Sequence, residues 1–311
     1  MSDWSGENQN NIATERIKAL RQPGNSLFRA LTLRVRWFFI DLIPFCKKLL
    51  SAPCSPLSVT RWELSRRTLD NSLLLVTLTN EGYLPYTRNL LASLEKTGLG
   101  KQMLVFCIDD ASCRALRAEG ILAYRVDYNG AASGFQRFHQ GEFRAVAATK
   151  LSVIHELLKL RFKVLFSDGD IVFLDNPIPQ MLTSLEKADL VIQNDDKHDT
   201  VERDSLQISL CTGFLLIRPT PHTLRSFNPD NMNAEDACDQ AYFNRIKSGV
   251  GSITVLDRHL FPNGSWFLDS PGNDYEARKA RAQMIHFNWR IGEEKLEAMK
   301  AHGLWFIGEN P

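Results

Sequence analysis

From Leu73 onward the chain returns repeatedly to short apolar runs, each followed by a segment with helical spacing, and after Phe166 the pattern is broken by two aspartates. Leu73-Leu-Leu-Val-Thr-Leu-Thr79, Met103 to Ile108, Ala123 to Val126 and Lys163-Val-Leu-Phe166 read as buried strands. Between them, Tyr86 to Lys96 reads as a helix ended by Gly98 and Ala111 to Glu119 as a second. Glu142 to Leu160 is a long third, with Leu151, Ile154, Leu157 and Leu158 on one face. Strands and helices in alternation predict an α/β fold, a mixed and mainly parallel sheet flanked by helices. Further strands are expected at Ile171 to Leu174, Leu190-Val-Ile192, Thr212 to Ile217 and Ile253 to Leu256. Helices are expected up to about Lys187, from Asp236 to Lys247 and from Glu293 to His302, and the stretch around Pro262, Gly264, Pro271 and Gly272 reads as loop.

That pattern divides the chain into an arm, residues 1–69, and one domain, residues 70–311. Within the arm, Leu27 to Leu50 carries Trp37, Phe38, Phe39, Ile40, Leu42, Ile43 and Phe45, interrupted by Arg34, Arg36 and Asp41. Each charge near a helix centre costs about 2.5 to 3.5 kcal/mol of insertion energy and each good apolar residue returns about 0.3 to 0.6, so the balance opposes a membrane span. Pro44 opposes it further. A cationic amphipathic segment making peripheral membrane contact through residues 27–50, or packing on a partner or on its own domain, fits the composition better. The first residues do not resemble a signal peptide. With 37 Lys and Arg against 36 Asp and Glu, no net field favours a polyanion, and nucleic acid is not an expected partner. The six cysteines are scattered without zinc-type spacing and read as mostly free thiols. A cytoplasmic or peripheral-membrane location is expected ahead of the Golgi lumen.

In Phe166-Ser-Asp-Gly-Asp170 two carboxylates stand two residues apart just after an apolar strand, and Gly169 allows a sharp turn between them. Ligands of open α/β sheets sit at the carboxyl ends of the strands, and paired carboxylates there suit a divalent cation bridging the phosphates of a nucleotide. Asp-Gly is also ordinary turn chemistry. Here, however, Ile171-Val-Phe-Leu174 returns at once to strand pattern, so the acids would interrupt apolar sequence for no structural gain.

Leu165-Phe-Ser-Asp-Gly-Asp-Ile-Val-Phe-Leu-Asp-Asn-Pro177 resembles the metal motif of nucleotide-diphospho-sugar transferases of glycosyltransferase family 77. Further blocks resemble that family in the same order: Val76-Thr-Leu-Thr-Asn-Glu-Gly-Tyr83, Cys211-Thr-Gly-Phe214, Asp239-Gln-Ala-Tyr-Phe-Asn244, Leu260-Phe-Pro-Asn-Gly264 and His286-Phe-Asn-Trp289. The likeness covers about Leu73 to Trp305. It implies a GT-A fold, a manganese-type metal (Mn²⁺, with Mg²⁺ as the alternative), a UDP-sugar donor and retention of anomeric configuration. The implied metal ligands are Asp168, Asp170 and His286, although a lone histidine among apolar residues is often only a core side chain.

The resemblance also implies donor-binding roles. Thr77, Thr79 and Asn80 would meet the base or ribose, Tyr83 would stack on the base, and Asp109, Asp168 and Gly169 would lie on the same edge. Lys150 would face the donor and Lys295 its diphosphate, or else both would be ordinary surface lysines of helices, and Arg290 competes with Lys295 for that role. Asp239 and Gln240 would lie at the reacting carbon, although acids at a helix start also offset the helix dipole. Thr212 and Gly213 would line the sugar, or Gly213 would serve strand packing. The expected reaction moves galactose or xylose to a hydroxyl of a glycan or glycoconjugate. The rivals are a non-catalytic sugar-binding protein of the same fold and a metal-dependent nucleotidyl or phosphoryl transferase, for which no phosphate-cradling glycine loop is present.

Overall fold

A computed structural model of the chain describes residues 57, 59–69, 72–126, 143–197, 205–272 and 274–308. The basic-aromatic segment 27–50 and most of the polar loop 195–204 lie outside the described residues. In chain order the elements are α1 (Arg61–Ser65), β1 (Leu73–Thr79), α2 (Leu84–Lys96), β2 (Met103–Cys107), α3 (Asp110–Ala118), β3 (Ala123–Arg125), α4 (Phe143–Lys159), β4 (Lys163–Ser167), β5 (Ile171–Phe173) and α5 (Ile178–Leu185). They continue with β6 (Leu190–Asn194), β7 (Leu210–Ile217), α6 (Pro221–Ser226), α7 (Asp239–Ile246), β8 (Ile253–Val255), α8 (Gly264–Asp269), α9 (Tyr275–Arg281), β9 (Met284–His286) and α10 (Glu293–Ala301).

Seven strands form one sheet in the order β3-β2-β1-β4-β7-β6-β8. The pairs β1–β2, β2–β3, β1–β4 and β6–β8 are parallel, whereas β7 runs antiparallel to both β4 and β6. This is the mixed, mainly parallel sheet that the strand and helix alternation predicts. Successive residues of a strand face opposite sides, so a sheet covered on both faces needs apolar residues at every position. Leu74 and Val76 of β1 join one core cluster with Leu151, Ile154 and Leu157 of α4, while Leu73 and Leu75 join another with Leu90 and Leu94 of α2. Each fully buried side chain of this kind contributes on the order of 2 kcal/mol. Leu57, Val59 and Leu64, all N-terminal to the expected start at Asp70, belong to the α4-side cluster, so the packed unit reaches back at least to Leu57.

A two-stranded ribbon beside the main sheet positions the site. β5 pairs antiparallel with β9, with Ile171 opposite His286. The amide of Phe287 donates to the carbonyl of Asp170 at 3.0 Å, so strand pairing alone brings a residue 116 positions downstream beside the Asp168–Asp170 turn. The region expected to be loop holds two short helices. Asn263 caps α8 by accepting from the Trp266 amide, and Asp274 caps α9 by accepting from the Ala277 amide. Side-chain caps of this kind satisfy amides that a glycine- and proline-rich sequence otherwise leaves to solvent.

Candidate active site

β4 ends at Ser167 and delivers Asp168-Gly169-Asp170 to the carboxyl edge of the sheet. One oxygen of Asp168, one of Asp170 and one ring nitrogen of His286 all lie within 4.8 Å of one another. His286 Nε2 is 3.2 Å from Asp170 Oδ1 and 4.0 Å from Asp168 Oδ2. The orientation of the ring follows from Gln193. The Gln193 amide donates to the carbonyls of Phe261 and Pro262, both at 3.1 Å, which turns its oxygen to His286 Nδ1 at 2.8 Å. Gln193 thus occupies Nδ1 and turns Nε2 toward the two carboxylates. With Nε2 deprotonated, two carboxylates and one imidazole nitrogen converge on one point, so this donor set fits a divalent metal. Two carboxylates and an imidazole suit a manganese-type ion.

Two lysines flank the set. Lys150 of α4 is buried and bridges Asp168 and Asp239, with Nζ 3.0 Å from a carboxylate oxygen of each. Burial opposes its charge, but the two carboxylates outweigh that and hold its pKa above the ordinary lysine value. Lys295 of α10 is also buried, pairs with Asp170 Oδ2, and donates to the Tyr83 hydroxyl at 3.0 Å. Burial would raise the pKa of Asp170, yet Lys295 and then His286 pull it well below the usual carboxylate range. Neither lysine is the exposed helix residue that remained open from the sequence. Arg290 is instead engaged by Asp269 and by Glu294, the latter at 3.0 Å, which leaves Lys295 as the cation on the metal side.

Around Asp239 the site is polar but closed. The Thr212 hydroxyl donates to Asp239 Oδ2 at 2.6 Å. Gln240 donates to Asp195 Oδ2 at 2.8 Å, while Asn288 and Trp289 donate to Asp195 Oδ1 at 2.7 and 3.2 Å. Asp195 is buried, and burial pushes its pKa up against those three donors. Gly213 lies directly under the ligands: a Cβ there would stand 2.4 Å from His286 Cε1 and 2.5 Å from Asp168 Oδ2. At Gly169 a Cβ would meet the Tyr83 ring at 3.1 Å, so glycine at this turn lets Tyr83 pack beneath the aspartates.

The first-strand residues are placed differently from the expectation. Thr77 is fully buried in mid-strand, with a hydroxyl that has no hydrogen-bond partner among the described residues. Two more residues of β1 follow it, and Thr79 at the strand end shares its hydroxyl with Thr87 at 2.7 Å. Asn80 caps the following turn by accepting from the Tyr83 amide at 3.0 Å. The Tyr83 hydroxyl accepts from Lys295 at 3.0 Å, and its ring packs tilted against Tyr86 with centroids 4.9 Å apart. Asp109 caps α3 through Ser112 and accepts from the Glu81 amide at 2.7 Å, so it braces the loop after β1. Gln193, Asp195 and Asn288 are site residues that sequence reasoning missed as individual side chains. Asn288 lay within the quoted His286-Phe-Asn-Trp289 block, which is the one signal that pointed to it.

The family model for nucleotide-diphospho-sugar transferases matches residues 98–299, which takes in the aspartate pair, both lysines and His286. The chain belongs to the nucleotide-diphospho-sugar transferase family. Arabinosyltransferase RRA2 of Arabidopsis thaliana is 24% identical over 265 residues, covering 77% of this chain and 61% of that protein. UDP-galactose:fucoside alpha-3-galactosyltransferase of Dictyostelium discoideum is 25% identical over 285 residues, covering 76% of this chain and 43% of that protein. The chain spans 42% to 65% of the length of the curated relatives it matches. Among solved structures, the apo form of the bifunctional glycosyltransferase WbbM aligns with a TM-score of 0.49 at 14% identity, covering 71% of this chain and 46% of that one. The galactosyltransferase LgtC, solved with donor and acceptor sugar analogues, aligns at 0.45 and 16%, covering 76% and 97%. Among the described residues no helix is long and apolar enough to cross a membrane.

Proposed function

We propose that this member of the transferase family is a metal-dependent, retaining glycosyltransferase that moves a sugar from a UDP-sugar to a hydroxyl of a glycan or glycoconjugate. The observation that carries the reading is the converging set of Asp168, Asp170 and His286, with the imidazole turned by Gln193 so that Nε2 faces the two carboxylates. Asp168, Asp170 and His286 would hold Mn²⁺, or Mg²⁺ less well, and the bound ion would supply Lewis-acid charge to the departing diphosphate. The charge count favours this use. Four carboxyl groups, Asp168, Asp170, Asp195 and Asp239, stand against two ammonium groups, Lys150 and Lys295, so a divalent ion would balance the site before a diphosphate enters. Lys295, with Tyr83 as its second partner, supports the leaving phosphates. Asp239, fixed by Lys150 and Thr212, and Gln240, fixed by Asp195, orient the donor sugar at the reacting carbon. Retention needs no protein base, because the leaving phosphate oxygen accepts the acceptor's proton.

The six motif blocks support placement in family 77. Galactose or a pentose such as xylose is the proposed donor sugar, in keeping with relatives named for galactose and arabinose transfer. The test is calorimetric titration of UDP and a panel of UDP-sugars with Mn²⁺, with Mg²⁺ and with chelator, followed by mass spectrometry of the released nucleotide. Metal-dependent UDP binding, lost in Asp168→Asn and Asp170→Asn, with UDP as the product from one donor, is the expected result. A folded wild type that binds no nucleotide with any metal would sink the reading.

A further inference from the structure

Trp289 combines features that surface tryptophans rarely share. Its side chain is 43% exposed although burying a ring of that size is strongly favourable. Its backbone sits at φ +63°, the left-handed region that bulky residues avoid. The indole N–H does not face water but donates inward to Asp195 Oδ1 at 3.2 Å, on the carboxylate that also fixes Gln240. The ring is thus pinned by its polar edge at the rim of the site with its body left outside. Lys197, itself exposed, holds Nζ 4.3 Å from the ring centroid, so a ligand stacking on that face takes the place of the ammonium. Ile291, 51% exposed, follows two residues later on the same loop.

We propose that Trp289 is the platform on which the acceptor sugar stacks, so that the group receiving the transferred residue is a glycan end rather than a hydroxyl of an unglycosylated peptide. The C–H bonds on one face of a sugar ring carry partial positive charge and match the negative face of the indole, as the Lys197 ammonium does. The backbone strain and the bond to Asp195 fix the platform in place, so little ordering is left to the moment of binding. Asp195 links it to Gln240, which sets the stacked ring beside the group proposed to act at the reacting carbon. The inference rests on the transferase reading above.

The test uses the full chain with Mn²⁺ and UDP, ¹⁵N-labelled at tryptophan, with Trp289→Phe and Trp289→Ala alongside. The probes are methyl β-galactoside, methyl β-xyloside, methyl α-fucoside and an unglycosylated peptide rich in serine and threonine. The Trp289 indole resonance, identified by its absence from Trp289→Phe, is expected to shift with at least one glycoside and not with the peptide. In turnover with that glycoside, acceptor KM should rise about tenfold in Trp289→Ala and stay within about threefold in Trp289→Phe, which keeps an aromatic face. UDP affinity with Mn²⁺ should be retained in both variants, which also shows that they fold. A peptide that moves the resonance where no glycoside does, or a Phe variant as impaired as the Ala variant, overturns the proposal. The second outcome would mean that the bond to Asp195 is what matters. A wild type that binds no UDP overturns the transferase reading itself, and is read in its own titration.

Discussion

Replacing Gly213 by alanine would put a methyl carbon 2.4 Å from His286 Cε1 and 2.5 Å from Asp168 Oδ2. Ordinary carbon contacts begin at about 3.5 Å, so something must move by about 1 Å. β7 cannot retreat from β4 here, because the Gly213 carbonyl accepts from the Asp168 amide at 2.7 Å, although its ladder with β6 is interrupted between Leu215 and Cys211. The two side chains must yield instead, and metal–ligand distances tolerate only about 0.2 Å. Overpacking should lower stability by about 1 to 3 kcal/mol, read by urea unfolding in chelator so that metal linkage does not contribute. Mn²⁺ affinity should fall further in relative terms, by about 10- to 100-fold, because both displaced groups are ligands. Gly249→Ala is the control: nothing lies within 4 Å of that position, and its stability should be unchanged or raised by up to about 1 kcal/mol. A Gly213→Ala protein that binds Mn²⁺ as tightly as wild type would refute the placement of Gly213 beneath the ligands.

Lys295→Met removes a buried cation from Asp170, so UDP affinity with Mn²⁺ should fall about tenfold or more, whereas Mn²⁺ binding without nucleotide should be no weaker, because the ion loses a competitor for the carboxylate. In chelator the same variant should be destabilised by on the order of 3 kcal/mol, the result of leaving a buried carboxylate short of its partner. Asp236 is held below the usual carboxylate range chiefly by its hydrogen bonds with Arg245. A depressed folded-state pKa stabilises above the unfolded value near 3.9 and is lost as pH falls through the folded one. Urea midpoints of wild type and Asp236→Asn should therefore differ at pH 6 and draw together as pH falls below about 3.9 and on through the folded value, and a constant gap would contradict the assignment. Cys107, pushed up to about 12 mainly by burial, and the buried thiols of Cys113, Cys211 and Cys238 should stay unreactive. With Cys46 and Cys54 changed to serine, Ellman's reagent should detect no thiol before unfolding.

What the sequence reveals here depends on the range of the interaction. Strands and helices of the first half are legible because each apolar period lies within a dozen residues: α4 was expected at Glu142 to Leu160 and runs Phe143–Lys159. The Asp168-Gly-Asp170 turn is legible for the same reason, as two acids interrupting apolar sequence. His286 is visible only through a motif block, since its pairing with Ile171 and its bond to Gln193, 93 residues away, leave no local mark. Asp195 shows the limit from the other side. It opens a polar stretch and reads as loop, yet its carboxylate is buried with three donors from residues that are remote in the chain. α8 and α9 were hidden because their starts depend on side-chain caps and not on an apolar stripe. Lys150 and Lys295 remained open for a geometric reason. A helix turned toward a polar site shows the same charged face as one turned toward water, so spacing cannot separate the two. The separation comes from partners: Asp168 and Asp239 enclose Lys150, and Asp170 and Tyr83 enclose Lys295. In such a site the informative signal for a buried lysine is the carboxylate it must neutralise, and that carboxylate lies on another element.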